Sequence, residues 1–383
     1  MTWMPTRRDS IAALAAAALV PQLARAAEAP GLDAVARKKG MRFGSAVSAN
    51  PRGGSFDNPA YAALLRADCG LLVAENEMKW QHLRPAPDRF DFAAFDRMLG
   101  WGERNGMAMR GHNLLWHRRK WMPRWLEVQD FGARPATEAA RILTTHIRTV
   151  TQRYGTRIAS YDVVNEAVTP DTGDLEETAL SRAMGGVEVT LDLAFRTARA
   201  AAPHAELVYN DYMSWEPGNA RHRDGGLRLL EGFRRRGTPV DALGVQSHIM
   251  TQGADGHAGV LAQQDAWRQF LKTVSDMGYG LLITELDVRD NGLPVAIGPR
   301  DRGVAEYARA YLDATLAFPQ LRDVVAWGMC DRFSWIEGFE PRADKAARRP
   351  CPYDEAYRAK PLHAAIATAL ANAPARSAKS GTR

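Results

Sequence analysis

The feature that most constrains the fold of this 383-residue chain is a regular alternation of short apolar runs with longer segments of helical periodicity. Eight short runs are typical of strands and cover residues 43–47, 71–74, 107–111, 160–164, 207–209, 242–246, 281–284 and 324–327. Helical spacing of apolar residues predicts helices over 61–66, 92–104, 137–154, 187–201, 220–236, 262–277, 304–317 and 353–370. Alternating strands and helices indicate a parallel sheet, because parallel neighbours need long crossover connections.

Eight repeats predict an α/β fold, a single-domain (β/α)8 TIM barrel over residues 27–371. The alternative is an open doubly wound sheet, which usually carries a glycine-rich phosphate loop after its first strand. The residues that follow Phe43 read Gly44-Ser45-Ala46-Val47-Ser48 and do not match that loop. The barrel is therefore favoured, and its active site is expected in the loops after the strands, of which 169–186 and 289–302 are long and polar.

Residues 1–26 have the composition of an export signal. Arg7 and Arg8 precede an apolar run of ten residues, 11–20, which is too short to cross a bilayer. Ala24-Arg25-Ala26 fits a cleavage site, and the arginine pair also suits a twin-arginine signal. The alternative is an ordinary N-terminal helix. Cleavage would lower the net charge from +6 to +4 and leave a periplasmic or secreted protein that has no membrane segment.

The positive charge does not indicate a nucleic-acid partner, since basic and acidic residues alternate and the run 234–236 fits a solvated helix face. Three cysteines are too few for a disulfide scaffold. In an oxidising compartment Cys330 and Cys351 could close one loop, whereas Cys69 is expected to be a buried thiol. Residues 372–383 are short, basic and rich in small residues, which predicts a disordered tail.

Two carboxylates follow strands that lie on opposite sides of the predicted barrel. The fourth strand ends in Asn165-Glu166 and the seventh ends in Glu285. Glycoside cleavage needs such a pair, because one carboxyl gives a proton to the leaving oxygen while the other attacks or stabilises the sugar cation. A single glutamate at a strand end would more often be a surface or salt-bridged carboxylate.

The sixth strand supports the catalytic interpretation. It continues into Gln246 and His248, which period-two alternation places on one face, and Glu285 and Asp287 share a face in the same way. We expect His248 to bridge Glu285 and Asp287 and to keep Glu285 ionised. Other strand ends carry polar groups and flat aromatic rings suited to sugars: Glu75, Asn76, Lys79, His112, Trp116, Trp327 and Trp335.

Six motifs stand in order between about Gly40 and Ala364: Glu75-Asn76-x-Met78-Lys79-Trp80, Gly111-His112-x-Leu114-x-Trp116-His117, Asp162-Val163-Val164-Asn165-Glu166-Ala167, Tyr209-Asn210-Asp211-Tyr212, Gln246-Ser247-His248 and Ile283-Thr284-Glu285-Leu286-Asp287. Together they resemble the endo-β-1,4-xylanases of glycoside hydrolase family 10. The resemblance implies a retaining hydrolase with xylan and xylo-oligosaccharides as substrates, without a cofactor or metal, and a monomer is expected.

The resemblance also implies roles for single residues. Glu166 would be the acid/base and Glu285 the covalent nucleophile, supported by His248 and Asp287. The sugar at the cleavage point would be surrounded by Asn165, His112, Trp116, Gln246 and His248. The next sugar on the non-reducing side would be held by Glu75, Asn76 and Lys79, under an aromatic roof of Trp327 and Trp335.

Some features depart from the family or stay open. Tyr161 stands where the family commonly has Trp, which we expect to alter packing rather than chemistry. The loop 332–350 carries Arg342, Lys345, Arg348 and Arg349, which suggests a preference for xylan with acidic side groups. Packing roles are expected for Trp80, Trp101, Trp121, Trp125 and Trp267. The spacing of His112 and His117 matches no common zinc pattern.

Two other functions remain open at this stage. One is a non-catalytic polysaccharide-binding barrel, and the other is a related barrel hydrolase that acts on β-glucan or mannan. The presence of both Glu166 and Glu285 weighs against a loss of catalysis.

Overall fold

The computed structural model describes residues 30–51, 53–251 and 256–376. The predicted leader, 1–26, and positions 377–383 of the predicted tail lie outside the described residues. Among the helices of the described segments, none is long and apolar enough to cross a membrane.

The described segments contain nine strands, all paired in parallel: β1 Arg42–Val47, β2 Leu71–Ala74, β3 Ala108–Trp116, β4 Ser160–Asn165, β5 Glu206–Asp211, β6 Ala242–Val245, β7 His248–Met250, β8 Gly280–Arg289 and β9 Leu321–Ala326. Strands β1 to β6 pair in chain order, β6 pairs with β8, β8 with β9, and β9 returns to β1. This circuit closes an eight-stranded barrel and confirms the predicted fold. The short β7 pairs with the outer end of β8.

The described segments contain these α-helices: α1 Leu32–Arg37, α2 Pro59–Asp68, α3 Trp80–Leu83, α4 Ala93–Arg104, α5 Arg124–Glu127, α6 Pro135–Tyr154, α7 Ala179–Ala183, α8 Val187–Ala201, α9 Ala220–Arg236, α10 Gly256–Asp276, α11 Ile297–Thr315, α12 Ile336–Phe339 and α13 Pro361–Asn372. The eight predicted helices correspond to α2, α4, α6, α8, α9, α10, α11 and α13, each of which begins or ends near the predicted residues. The other five, which are α1 before β1 and the short α3, α5, α7 and α12, were not predicted. Proline at the first positions of α2, α6 and α13 suits a helix start, since its missing N–H would have no partner there. At α2 the Asn58 side chain also accepts a hydrogen bond from the backbone N–H of Tyr61.

Alternation along the strands divides the core into two layers. In β2, Leu71 and Val73 pack inside the barrel with Ala46 and Val325. Leu72 and Ala74 belong instead to the larger cluster between the sheet and the helices. The barrel interior is therefore filled by side chains, so a substrate can bind only at an end of the barrel.

All three cysteines are buried free thiols, so the suggested Cys330–Cys351 disulfide is wrong. Cys330 Sγ instead lies 3.0 Å from the carbonyl oxygen of Asp354, to which it can donate a weak hydrogen bond. Cys69 is buried as predicted.

The structure corrects two boundaries near the C-terminus. The predicted helix 353–370 begins only at Pro361, because Tyr353 forms bridges with Cys330 and Ala359. The predicted tail is ordered over its first residues, 372–376. Arg376 is buried and donates from Nε to the carbonyl oxygen of Leu321 at 2.8 Å.

Candidate active site

The carboxyl ends of the strands surround a cleft of about 870 Å³. Eleven of the thirteen predicted site residues line it: Glu75, Asn76, Lys79, His112, Trp116, Glu166, Gln246, His248, Glu285, Trp327 and Trp335. The other two, Asn165 and Asp287, lie directly behind the wall, where Asn165 contacts Glu166 and Asp287 contacts His248. A larger depression of about 1000 Å³ lies at the opposite end of the barrel, away from both glutamates, and it includes Arg42, Arg199 and Asp241.

Glu166 occupies a sharp turn at the end of β4. Its φ of 55° is in the left-handed region, which costs a non-glycine residue about 1 kcal/mol. The backbone N–H of Glu166 donates to the carbonyl oxygen of Asn210 at 2.8 Å, which keeps the turn attached to β5. The turn ends β4 and places the carboxyl in the cleft rather than behind the sheet.

Three N–H donors surround the Glu166 carboxyl. Oε1 accepts from Asn165 Nδ2 at 3.0 Å and from Gln246 Nε2 at 2.8 Å, and Oε2 accepts from Trp116 Nε1 at 2.9 Å. Burial raises the pKa of Glu166, the nearby charges of Asp211 and Glu285 raise it further, and the hydrogen bonds from Gln246 and Trp116 lower it in part. The net effect is an elevated pKa, which favours a carboxyl that keeps its proton.

The pKa of Glu285, on β8, is shifted in the opposite direction to that of Glu166. Its Oε1 accepts from Asn210 Nδ2 at 2.8 Å, and its Oε2 lies 3.1 Å from His248 Nε2. Burial alone would raise its pKa, yet the hydrogen bond from His248 and the electrostatic effects of His112, His248 and Lys79 outweigh burial and lower the pKa to about 2. Glu285 is therefore a carboxylate throughout the pH range in which proteins are usually stable.

His248 bridges Glu285 and Asp287, as predicted. Its Nδ1 forms an ion pair with Asp287 Oδ1 at 2.9 Å, on the side of the ring away from Glu285. Burial opposes the imidazolium form, but the two carboxylates outweigh burial and raise the pKa of His248 to about 9. Asp287 Oδ2 also accepts from Trp335 Nε1 at 2.8 Å, which links this chain of groups to the roof of the cleft.

The strand that carries His248 is interrupted, which differs from the predicted run 242–246. β6 ends at Val245, and β7 starts at His248 after Ser247, whose φ is 66°. Ser247 Oγ lies 2.7 Å from the hydroxyl of Tyr311, which holds this kink from behind. The kink leaves both Gln246 and His248 lining the cleft, but each faces a different glutamate.

Asn210 on β5 is a functional residue to which sequence reasoning assigned no role. Its Nδ2 donates to Asn165 Oδ1 and to Glu285 Oε1, both at 2.8 Å, while its Oδ1 accepts from Thr284 Oγ1 at 2.7 Å. It thereby connects the surroundings of the two glutamates. The residue belongs to the Tyr209-Asn210-Asp211-Tyr212 motif, so the signal was present in the sequence.

The loop after β2 contributes a separate polar wall. Lys79 Nζ donates to Asn76 Oδ1 at 3.1 Å and lies 4.5 Å from the centre of the Trp116 ring. Burial lowers the pKa of Lys79 and raises that of the adjacent Glu75. Behind them, Glu77 accepts from the backbone N–H of Ala49 at 2.6 Å and so ties this wall to the end of β1.

Of the five tryptophans for which packing roles were predicted, four pack in or against the core and one lines the cleft. Trp80 and Trp267 are buried and Trp101 and Trp125 pack against the core, as predicted. Trp121 is 37% exposed and lines the cleft, so its assignment to packing is wrong. It stacks on Trp116 with ring centres 4.8 Å apart, a tertiary contact that sequence spacing does not reveal.

The arginines of the loop 332–350 do not reach the cleft, which overturns the suggested basis for a preference for acidic xylan. Arg342 and Arg348 lie 3.2 and 3.0 Å from the buried carboxylate of Asp290, and Arg349 pairs with Asp301. Lys345 is exposed and does not line the cleft. These arginines act as structural counter-charges that hold the loop against the end of β8 and the first turns of α11.

His112 and His117 face different partners. His112 Nδ1 lies 2.9 Å from Asp162 Oδ2, whereas His117 Nε2 lies 2.9 Å from the carbonyl oxygen of Glu176. Burial lowers the pKa of His117 to about 4, so its ring is neutral. Within the described segments, no group of three or more His, Cys, Asp or Glu side chains is arranged to hold a metal ion.

Comparison with known proteins agrees with this geometry. The model of glycosyl hydrolase family 10 matches residues 31–369. The chain is 30% identical to endo-1,4-beta-xylanase B of Thermotoga neapolitana over 81% of this chain and 83% of the relative. It is also 30% identical to endo-1,4-beta-xylanase 3 of Hypocrea jecorina, over 88% of this chain and 84% of the relative.

Solved structures give the same result. Native xylanase 10B from Thermotoga maritima superposes with a TM-score of 0.76 at 30% identity, covering 89% of this chain and 98% of that one. Xylanase 10B from Thermotoga petrophila RKU-1, in complex with xylobiose, gives 0.77 at 29% identity, covering 89% and 97%. Sequence, barrel and site agree, and the chain belongs to glycosyl hydrolase family 10.

Proposed function

We propose that the protein is a retaining endo-1,4-β-xylanase, with Glu166 as the acid/base and Glu285 as the nucleophile. The observation that carries this proposal is the contrast between two carboxyls in one cleft. The pKa of Glu166 is raised, whereas the pKa of Glu285 is lowered to about 2. Glycoside cleavage by a carboxyl pair requires one protonated and one ionised carboxyl at the same pH, and retention is proposed from the resemblance to the retaining xylanases of the family.

In the first step, a carboxylate oxygen of Glu285 attacks the anomeric carbon of the bound xylose unit. The bond from that carbon to the glycosidic oxygen breaks, and the leaving oxygen takes the proton of Glu166. Asn210 and His248 hold the attacking carboxylate, one on each oxygen. The products are a glycosyl ester on Glu285 and a shortened chain with a free hydroxyl.

In the second step, the Glu166 carboxylate takes a proton from a water molecule, whose oxygen attacks the same carbon and displaces Glu285. Both enzyme groups return to their starting states, and two inversions give net retention. Every proton and electron pair comes from the two glutamates, the substrate or water, so these steps need no cofactor.

Xylan as the substrate rests on the relatives and on the shape of the cleft. The curated relatives are named endo-1,4-beta-xylanases, and one structural neighbour contains xylobiose. In this chain, Glu75, Asn76 and Lys79 would bind the hydroxyls of the sugar on the non-reducing side. Trp327 and Trp335, whose rings meet His248 edge to face, would form the roof over the sugar at the cleavage point.

The test is reducing-sugar release from xylan, with cellulose and mannan assayed in parallel. We expect release from xylan, and the Glu285→Ala variant should reduce it to background. The first product observed by NMR should carry the β-anomer. Release from mannan or cellulose alone would favour the related hydrolases, and xylan binding without release would favour a non-catalytic barrel. A first product with the α-anomer would contradict retention.

We further propose export through the leader 1–26 and a monomeric mature enzyme. Sequencing the N-terminus of the protein recovered outside the cytoplasm tests cleavage after Ala26. Sedimentation of the mature chain tests its oligomeric state.

A further inference from the structure

Two tryptophans and two lysines form a continuous stack beside the acid/base. Lys79 Nζ lies 4.5 Å from the centre of the Trp116 ring, and Lys120 Nζ lies 4.7 Å from the centre of the Trp121 ring. The two indoles are 4.8 Å apart and nearly parallel, at 17°. We call these four side chains the indole stack. Its inner member, Trp116, is the one whose N–H reaches Glu166.

We infer that Trp121 is a positioning residue for the acid/base, because it fixes the plane of Trp116 and thereby the N–H that sets the rotation of the Glu166 carboxyl. This inference rests on the proposed role of Glu166. Trp121 itself contacts no catalytic carboxyl; it acts through Trp116.

The hydrogen bonds at Glu166 show why the plane of Trp116 matters. A carboxyl oxygen has two lone pairs, and those of Oε1 are taken by the N–H groups of Asn165 and Gln246. Among the described residues Oε2 accepts a hydrogen bond from Trp116 alone, so one of its lone pairs is left to carry the proton. The direction of the Trp116 N–H therefore decides where the proton of Glu166 points.

Apart from Trp121, the inner indole is contacted by Lys79 on its ring and is bonded to Glu166 through its N–H. Trp116 is only partly buried and stands at the last residue of β3, where the strand leaves the barrel. Trp121 belongs to the short turn Arg119–Trp121 and contacts Trp116 from there. This turn lies outside the core, and the Trp121 side chain is 37% exposed. Truncation of Trp121 should therefore free Trp116 without opening the core.

The experiment measures kcat/KM for a series of phenyl β-xylobiosides whose ring substituents make the phenolate an increasingly good leaving group. All members bind through the same xylobiose unit and carry a phenyl ring next to it, but only poor leaving groups need the proton of Glu166. For Trp121→Ala we expect a loss of about two- to tenfold with the unsubstituted phenol and little loss with dinitrophenol, since a stacked aromatic pair contributes on this scale. The alkaline limb of the pH profile should also move upward, because a weakened N–H bond stabilises the carboxylate less.

Three variants separate the explanations. Trp121→Phe keeps a flat ring and should restore most of the loss. Trp116→Phe should steepen the dependence on the leaving group, and adding Trp121→Ala to it should steepen it no further. Phe339→Ala removes another exposed cleft aromatic, which contacts Trp335 on the Glu285 side, and any loss there should fall equally on every substrate.

The outcomes are distinguishable. If Trp121→Ala lowers kcat/KM equally for all phenols, or only for xylan, the residue binds sugar and the positioning role is refuted. Glu166→Gln serves as the reference for the proposed function. If that variant does not depend more steeply on the leaving group than the wild type, the acid/base role of Glu166 itself fails, whatever Trp121 does.

Discussion

Replacing His248 by asparagine should move the acid limb of activity. The imidazolium contacts Glu285 at 3.1 Å and is the strongest influence that keeps this buried carboxyl ionised. With His248 the pKa of Glu285 is about 2, against an ordinary value of 4.5. The difference corresponds to about 3 kcal/mol of preference for the carboxylate.

The size of the effect follows from these values. In His248→Asn, burial still raises the pKa of Glu285, and Lys79, His112 and the hydrogen bond from Asn210 remain to oppose it, so we expect the pKa to return to about its ordinary value of 4.5. At pH 4 about a quarter of the molecules would then carry the nucleophile in its ionised form, against nearly all in the wild type. The variant should therefore lose about fourfold in kcat/KM between pH 7 and pH 4, beyond any loss from poorer orientation that is already present at pH 7.

The assay is kcat/KM on a dinitrophenyl β-xylobioside between pH 3 and 9, with circular dichroism to confirm folding at each pH. His82→Asn is the matched control, because His82 lines the same cleft but is not among the groups that shift the pKa of Glu285. Its acid limb should coincide with that of the wild type. An acid limb of His248→Asn that also coincides with the wild type would refute the view that His248 keeps Glu285 ionised.

The same pair makes stability depend on pH. The pKa of Glu285 is depressed in the folded state, so its contribution is present above pH 4.5 and is lost as the pH falls through about 2. The pKa of His248 is raised, so its contribution is complete below pH 6.5 and is lost as the pH rises through about 9. The free energy of unfolding of the wild type should fall between pH 6.5 and 9 more than that of His248→Asn.

Four further predictions follow from single contacts. Asn210→Ala removes a donor from Glu285 and should lower kcat/KM on xylan by about 100-fold. Tyr161→Phe should raise the free energy of unfolding by about 1 kcal/mol at unchanged kcat, since the buried Tyr161 hydroxyl has no hydrogen-bond partner in the described segments; a loss of stability would contradict this. Arg348→Gln should destabilise the fold by about 3 kcal/mol yet leave the ratio of rates on glucuronate-bearing and neutral xylan unchanged, because Arg348 pairs with buried Asp290 rather than lining the cleft. The melting temperature should be the same with and without reductant, and three thiols should titrate after unfolding, because the cysteines are unpaired; a reductant-sensitive melt would restore the Cys330–Cys351 disulfide.

The sequence predicted the ends of a helix correctly where a residue that stops or starts helices stands at the end of the apolar pattern. The helix α9 matches its prediction at both ends, and Gly237, with φ of 62°, stops it in the left-handed conformation that glycine tolerates. The predicted start of the last helix was wrong because apolar spacing was followed back to Tyr353. The helix begins instead at Pro361, because proline suits the first position of a helix and the apolar spacing before it does not continue the helix.

Two strands are longer than their apolar runs, and the reason is functional. β3 was predicted to end at Gly111 and reaches Trp116, while β8 was predicted to end at Thr284 and reaches Arg289. The added segments contain the polar residues of the site, among them His112 and Glu285, which interrupt the apolar pattern. A criterion based on hydrophobicity therefore stops where the active site begins.

Within the site, the sequence predicted contacts between neighbouring strands but not contacts that depend on the tertiary fold. His248 lies between Glu285 and Asp287 as predicted, although the strand is interrupted before it, because the short β7 pairs His248 with Asp287 on β8. The stacking of Trp121 and the counter-charges of the loop arginines depend on partners brought together only by the tertiary fold. Sequence spacing carries no information on such pairs.

The two glutamates show that burial alone does not decide the charge of a catalytic carboxyl. Both are buried in the same cleft, at 9% and 5% exposure, and burial is the largest influence on each pKa, in the same upward direction. What separates them is the charge of their neighbours. Glu285 faces an imidazolium that is itself held charged by Asp287, whereas Glu166 receives neutral N–H donors and lies near Asp211 and Glu285 itself. The negative charge of Glu285 therefore raises the pKa of Glu166 and helps to keep it protonated. In this way the ionisation of one carboxyl supports the opposite role of the other.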